Sequence, residues 1–367
     1  MECNKLVFNI GSLNCEIGLA GDEEYLDYFK TFIGTPKSKD KNTSSFYLGH
    51  DVSENFGGYL SLSKIIERGI ITNIDYYEKL VSYIYTKNKF IADQNKLILI
   101  ESPSMPNEQK KIKAEIFFEK FNIPGLNLIS EAECALYANG SFTGLVHGSG
   151  EGVTYFYPIF DGFMVNEERN INFGGQDINE FLYFLLEKKN FKLNLDKIES
   201  MEIIGDIKEK NCYVALDYKN ELCNIEEKKY VLPDDNEISI KEERIMSTEC
   251  LFNPKLWGNL EKNFPDFCKE AIQKTSLSMV KDLYSNIFLT GRNTLFQGYK
   301  ERFLEEMRNI VPDSIRGQIK IKGEGSRSAW VGGSIFGALD ESEEYMISKK
   351  EYFEKGKEYI CEKRKKK

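Results

Sequence analysis

Two stretches decide the fold: Phe8-Asn9-Ile10-Gly11-Ser12-Leu13-Asn14-Cys15-Glu16-Ile17-Gly18 and Val146-His147-Gly148-Ser149-Gly150-Glu151-Gly152-Val153-Thr154. Each runs strand, tight Gly/Ser turn, strand. The backbone N–H groups of such a turn converge on one side and can cradle an anion. A nucleotide clamp built from two such hairpins ordinarily adds carboxylates that hold magnesium through its water shell. Asn9 and Gly148 stand where those acids belong. The two stretches therefore predict a nucleotide-type fold whose catalytic equipment has decayed.

Reading outward from them gives the organisation. Residues 5–30 read as paired strands, and 31–63 as a small polar appendage rich in Ser, Lys, Asn and Gly. Asp75–Lys87 and Pro106–Phe121 carry helical periodicity, with Leu97-Ile98-Leu99-Ile100 between them as a buried strand. Glu131–Asn139 reads as a helix stopped by Gly140. The strand–loop–strand theme then recurs over 144–165, followed by a helix over Asp177–Lys189. This internal pseudo-repeat predicts two similar lobes with a nucleotide between them. Residues 190–264 alternate helices with polar connections. Gly291-Arg292-Asn293 follows an apolar strand, and Val331-Gly332-Gly333-Ser334-Ile335 reads as a further tight glycine turn leading into a helix.

Composition narrows the classes. With 367 residues, 41% of them apolar, the chain can bury the core of two domains. Its net charge of −9 argues against a general nucleic-acid binder. Two histidines and eight scattered cysteines without a CxxC argue against a zinc site. Cys15, Cys134, Cys212 and Cys250 sit among apolar neighbours and read as buried thiols of a reducing compartment. No stretch is long and apolar enough to span a membrane, and no signal peptide is expected at the start. The tail Cys361–Lys367 is strongly basic; a solvated chain end is the simpler reading and an import signal the other.

Several segments resemble actin: Gly18-Leu19-Ala20-Gly21-Asp22, Ala135–Gly140, Asp206–Asp217, Lys281–Asn286, Ser328–Ile335 and Ile347–Tyr352. They occur in actin order from about residue 5 to 355. The resemblance implies an α/β, bilobed actin-like fold, shared with the heat-shock ATPase and the sugar kinases, with four subdomains around a central nucleotide cleft. Subdomain 1 would take 1–30, 64–135 and 328–367; subdomain 2, 31–63; subdomain 3, 136–171 and 265–327; subdomain 4, 172–264.

Residue by residue, the resemblance implies a depleted site. Asn9 and Gly148 replace two acids of the magnesium shell, Leu13 a phosphate-loop glycine, and Glu16 the phosphate-binding lysine. Glu131 replaces the glutamine that orients water, Tyr155 a histidine near that water, Arg292 a glycine of the adenosine loop, and Ser326 a lysine over the base. Gly11, Ser12, Ser149, Gly150, Glu151, Gly152, Gly175, Lys208, Glu209 and Gly291 keep the type of residue expected at a nucleotide. Phosphoryl transfer rests on positioning and on charge stabilisation by metal and cations. The losses argue against an enzyme and against a held magnesium, with ATP or ADP bound weakly or not at all. Arg292 is expected to form a buried pair with Glu131, Glu151 or Glu209, filling part of the cleft and linking the lobes.

The same resemblance implies assembly surfaces. The loop Lys37–Phe46, a filament contact in actin, is shortened here and mostly Ser, Thr and Lys. Tyr137, Phe142, Phe336, Leu339 and Met346 would line a groove between subdomains 1 and 3 able to take an amphipathic helix. Expected partners are actin-like subunits or other proteins of a complex, with no membrane and no direct nucleic acid. The expected role is a specialised cytoskeletal filament or complex subunit in the cytoplasm. The alternatives are a nuclear subunit of a chromatin-remodelling complex and, behind it, a filament former that still hydrolyses ATP.

Overall fold

The computed structural model describes residues 4–38, 45–54, 59–103, 105–165, 169–325 and 327–363. The chain divides into two compact units, one of Met1–Phe142 with Arg327–Lys367, the other Thr143–Ser326. The expected subdomain boundary at 135/136 falls inside the helix Glu131–Ala138, which lies wholly in the first unit. That helix is continuous because a capping box starts it: Glu133 accepts from the Ser130 N–H at 3.1 Å and Ser130 Oγ from the Ala132 N–H at 3.3 Å. Gly140, at φ +61°, follows its end.

The first unit is built on a six-stranded sheet in the order Ile347–Ser348, Gly125–Ser130, Lys96–Glu101, Lys5–Ile10, Asn14–Leu19, Asp27–Lys30. Lys5–Ile10 runs parallel to Lys96–Glu101 and antiparallel to Asn14–Leu19. The central run Leu97–Ile100 is buried on both faces, as a parallel strand between parallel neighbours should be. Helix Ile74–Lys87 covers one face with Tyr77, Leu80, Val81 and Ile84, its N-terminus capped by Asn73. The expected helix over Pro106–Phe121 is Asn107–Glu115, continued by a wider π turn over Ile116–Lys120 that turns Phe117 and Phe118 into the core. The polar appendage contains a three-stranded sheet, Tyr47–Leu48, Phe32–Pro36 and Leu60–Lys64. Most of the loop Lys37–Phe46 lies outside the described residues.

One expectation fails here. Val331–Ile335 is not a turn; it lies within the helix Ser328–Ala338. Its glycines answer to packing: a Cβ on Gly332 would sit 1.7 Å from the Cys134 carbonyl oxygen, and one on Gly333 2.6 Å from Ile100 Cδ1.

The second unit repeats the plan. Its sheet runs Phe163–Met164, Thr154–Phe160, Gly144–Ser149, Ile287–Thr290, Ile321–Gly325. Gly144–Ser149 pairs antiparallel with Thr154–Phe160 and parallel with Ile287–Thr290, as Lys5–Ile10 does with its own two neighbours. The predicted pseudo-repeat is thus a repeat of strand pairing. Helix Gly175–Glu187 follows the hairpin, with Phe181, Leu182 and Leu185 buried.

Candidate functional site

The first hairpin closes with the Gly11 N–H donating to the Asn14 carbonyl at 2.9 Å. Ser12 Oγ accepts from the Gly69 N–H at 3.0 Å, so its hydroxyl holds a neighbouring turn in which Gly69 has φ +79°. The Leu13 carbonyl accepts from the Thr31 N–H at 2.8 Å. Asn9 and Glu16 face each other across the strands, and Asn9 Nδ2 donates to Glu16 Oε2 at 2.9 Å. Cys15, behind the turn, is fully buried, and burial pushes its thiol up to about 12, which makes it inert.

The second hairpin closes alike, the Gly150 N–H donating to the Val153 carbonyl at 3.0 Å. Gly148 lies opposite Tyr155. Ser149 Oγ contacts Thr154 Oγ1 at 2.8 Å, and Thr154 in turn donates to the Phe173 carbonyl at 2.8 Å. The loop Gly150-Glu151-Gly152 is tied to the next helix, because the Gly175 and Gln176 N–H groups donate to the Gly150 and Glu151 carbonyls at 2.9 and 3.0 Å. Asp177 starts that helix by accepting from the Gly174 N–H at 2.8 Å.

Two further side chains converge on this loop. Lys208 is buried, donates to the Gly175 carbonyl at 3.0 Å and lies 3.9 Å from Glu151 Oε2. Asn293, also buried, donates to the Gly150 carbonyl at 2.7 Å and to Ser149 Oγ at 3.1 Å. A Cβ on Gly175 would meet Glu151 Oε2 at 2.4 Å and Lys208 Nζ at 3.0 Å, so any side chain there would displace the ends of these two side chains. Gly291 combines φ +84° with a would-be Cβ 2.3 Å from the Ser149 carbonyl oxygen.

Arg292 does pair with Glu209, Nη1 to Oε1 at 3.2 Å. The expected burial is not found. Both side chains are about half exposed, at 43% and 50%, and both belong to the Thr143–Ser326 unit. A guanidinium on a short surface turn keeps its hydration, so the pair contributes little to stability. Glu131 is the first residue of the helix Glu131–Ala138 in the other unit. Ser326 lies outside the described residues.

Of the sequence candidates, Ser149, Gly150, Glu151, Gly175, Lys208 and Gly291 come together, Gly152 continues their loop, and Glu209 stands beside them on the exposed Arg292. Asn293 was read only as part of a turn. Its role depends on the amide reaching two atoms of a loop more than a hundred residues away, which no local pattern signals. The donor set does not fit magnesium. Gly148 offers no side-chain ligand, the Asn9 amide points its N–H at Glu16, and among the described residues no three His, Cys, Asp or Glu side chains group as metal ligands.

The groove candidates all lie in the first unit. Tyr137 stacks on Phe336 at 6.0 Å and meets Phe142 at 5.7 Å. Phe336 and Met346 are core residues, 6% and 5% exposed, in a cluster with Trp330, Ile98 and Cys134. The exposed apolar side chains in these segments are instead Phe142 and Leu339, at 62% and 48%, and Ile335, next to Phe336 in sequence, at 41%.

The family model for actin matches residues 1–366. The chain belongs to the actin family, and its mixed α/β architecture is that of an actin-like fold.

Proposed function

We propose that this actin-family protein is a non-catalytic structural subunit of a cytoskeletal filament or complex, acting through its protein surfaces. The carrying observation is that polar groups in and beside its glycine hairpins are bonded within their own units. Asn9 bonds Glu16, Asn293 bonds Gly150 and Ser149, and Lys208 bonds Gly175 beside Glu151. Hydrolysis needs donors and metal ligands aimed at a phosphoryl group, and each lost group costs about 10²-fold or more. Purified protein should release no phosphate from ATP above the rate of a heat-denatured control. Release that titrates with active protein would overturn the non-catalytic reading.

Partner binding is assigned to the exposed Phe142, which packs on Tyr137, with Leu339 and Ile335, whose half-exposed apolar side chains suit the apolar face of a partner helix or a neighbouring subunit's loop. Phe142→Asp with Leu339→Asp should remove binding of partners recovered with the native protein, each anchor contributing about 2 kcal/mol, while the melting midpoint stays within about 2 °C. Phe336 is unsuitable for this test, since an aspartate there would be buried in the core. Retention of every partner by the double variant would move the interface elsewhere. Cytoskeletal partners favour the proposed role; remodeller subunits favour a nuclear one.

The basic tail carries no address in this reading. Lys363 is anchored, donating to the Met346 carbonyl and lying 3.3 Å from Glu351 Oε2. Residues 364–367 lie outside the described residues. Deleting those four should leave the location of a tagged protein unchanged, and loss of nuclear signal would reverse the assignment.

A further inference from the structure

Family resemblance associates magnesium with both glycine hairpins, and the residues present disagree at the same rung of each. We infer that magnesium is excluded by two rematched cross-strand pairs, Asn9–Glu16 and Gly148–Tyr155, and that Tyr155 is the residue that keeps the second acid out.

The equivalence of the pairs is geometric. Each turn is closed by its leading glycine, Gly11 to Asn14 at 2.9 Å and Gly150 to Val153 at 3.0 Å. Two residues before those glycines stand Asn9 and Gly148. Their partners in register are Glu16 and Tyr155. One rung of a duplicated hairpin has therefore changed on both of its strands, in both copies.

The chemistry differs between copies, but each pair is self-complementary. In the first, a neutral amide stands in place of a carboxylate and donates to Glu16 at 2.9 Å, so the position carries no anionic oxygen for a cation. In the second, the phenol ring lies over the glycine. A Cβ at position 148 would be 2.1 Å from Tyr155 Cζ and 2.4 Å from its Oη. Tyr155 is 2% exposed within a strand whose neighbours are equally buried, so the ring cannot swing aside without opening the core. An acid at 148 is thus blocked as well as absent, and restoring it requires changing Tyr155 in the same molecule.

The inference rests on the non-catalytic reading of the hairpins but concerns the metal alone, and melting of the full chain tests it with magnesium and ATP as probes. Wild-type protein in millimolar ATP should show the same midpoint with magnesium as with EDTA. G148D should lower the midpoint by about 5 °C, the scale of an overpacked core site in a domain of this size. Adding Y155H should recover most of that loss. The quadruple variant N9D/E16K/G148D/Y155H should gain a magnesium-dependent rise in ATP, because a ligand of the native state raises the midpoint by mass action. Three results would overturn the inference: G148D melting like wild type, a wild-type rise in Mg-ATP that EDTA abolishes, or a quadruple variant with native circular dichroism and no response to magnesium. A wild-type rise with ATP in EDTA supports it, since binding would then be metal-free. The non-catalytic reading fails separately, on phosphate release.

Discussion

Gly332→Ala is expected to destabilise the protein by about 3 kcal/mol or more, the upper end of what overpacking costs. On an isolated helix the change would stabilise by about 1 kcal/mol, because alanine is the better helix former. Packing reverses the sign. Helix Ser328–Ala338 lies against helix Glu131–Ala138, and a Cβ at 332 would stand 1.7 Å from the Cys134 carbonyl oxygen, 2.4 Å from its carbon and 2.7 Å from its Cα. All three are backbone atoms, so no rotamer change relieves the clash; one helix must move. The helix is also held from the other side. Trp330 is fully buried, donates to the Val7 carbonyl at 3.2 Å, and occupies space that any side chain on Gly18 would need. Movement away from one contact therefore costs another. Gly333→Ala should cost less, since its nearest neighbour is the end of the Ile100 side chain at 2.6 Å, which can turn. Denaturant midpoints at unchanged m-value check the ranking. A G332A protein within about 0.5 kcal/mol of wild type would show that the helices do not depend on this contact.

That glycine also shows where sequence reading stops. Val331-Gly332-Gly333-Ser334 has the composition of a turn, and composition is local. What demands glycine at 332 is a helix from elsewhere in the chain, so the same letters serve a close helix crossing. The hairpins were legible for the opposite reason. Strand, turn glycine and returning strand are adjacent in sequence, and the structure keeps them in the predicted order. The buried strand Leu97–Ile100 and the helices Ile74–Lys87 and Glu131–Ala138 were legible likewise, from an apolar run, helical periodicity and the stop at Gly140, whereas the caps Asn73 and Ser130 emerge only from the structure.

Within the site, identities were readable and pairings only partly so. The missing acids at 9 and 148 are visible as letters. That Glu16 and Tyr155 answer them appears only with strand register. The partner of Arg292 was among the three foreseen carboxylates, yet its exposure was not, because distance in sequence does not report depth. Phe336 and Leu339, both expected at the surface groove, part ways for a similar reason. The helix ends at Ala338, so Leu339 leaves the buried face while Phe336 remains on it.

Acid should weaken the fold through His147 before it reaches the ordinary carboxylates. The ring is fully buried, stacked on Phe156 at 4.3 Å and on Phe303 at 5.3 Å, with Phe264 edge-on at 5.5 Å. Its polar contacts are the Tyr299 hydroxyl at Nε2, 2.6 Å, and the Tyr155 carbonyl at Nδ1, 3.4 Å. Neither compensates a positive charge as a carboxylate would. Burial lowers its pKa from 6.5 to about 3, only partly opposed by the bond to Tyr155. The unfolded chain thus takes up a proton below about pH 6.5 while the folded chain stays neutral to about 3. Stability from this residue is complete above 6.5 and declines as pH falls through that window, by about 1.4 kcal/mol per unit. Glu101 and Glu249 act in the other direction, since burial raises both against the pull of Lys113 and Arg302. A paired comparison removes their common contribution. H147F alone should be destabilised at pH 8 by about 1–3 kcal/mol, because the Tyr299 hydroxyl loses its partner in the core. H147F/Y299F removes both polar groups and should recover most of that. Between pH 6.5 and 4.5, wild type should then lose about 2 kcal/mol relative to the double variant, read from denaturant unfolding at each pH. Parallel pH profiles would mean that His147 accepts its proton without leaving the core. Because His147 immediately precedes Gly148 on the hairpin strand, acid that loosens its ring also loosens the rung where Tyr155 covers position 148.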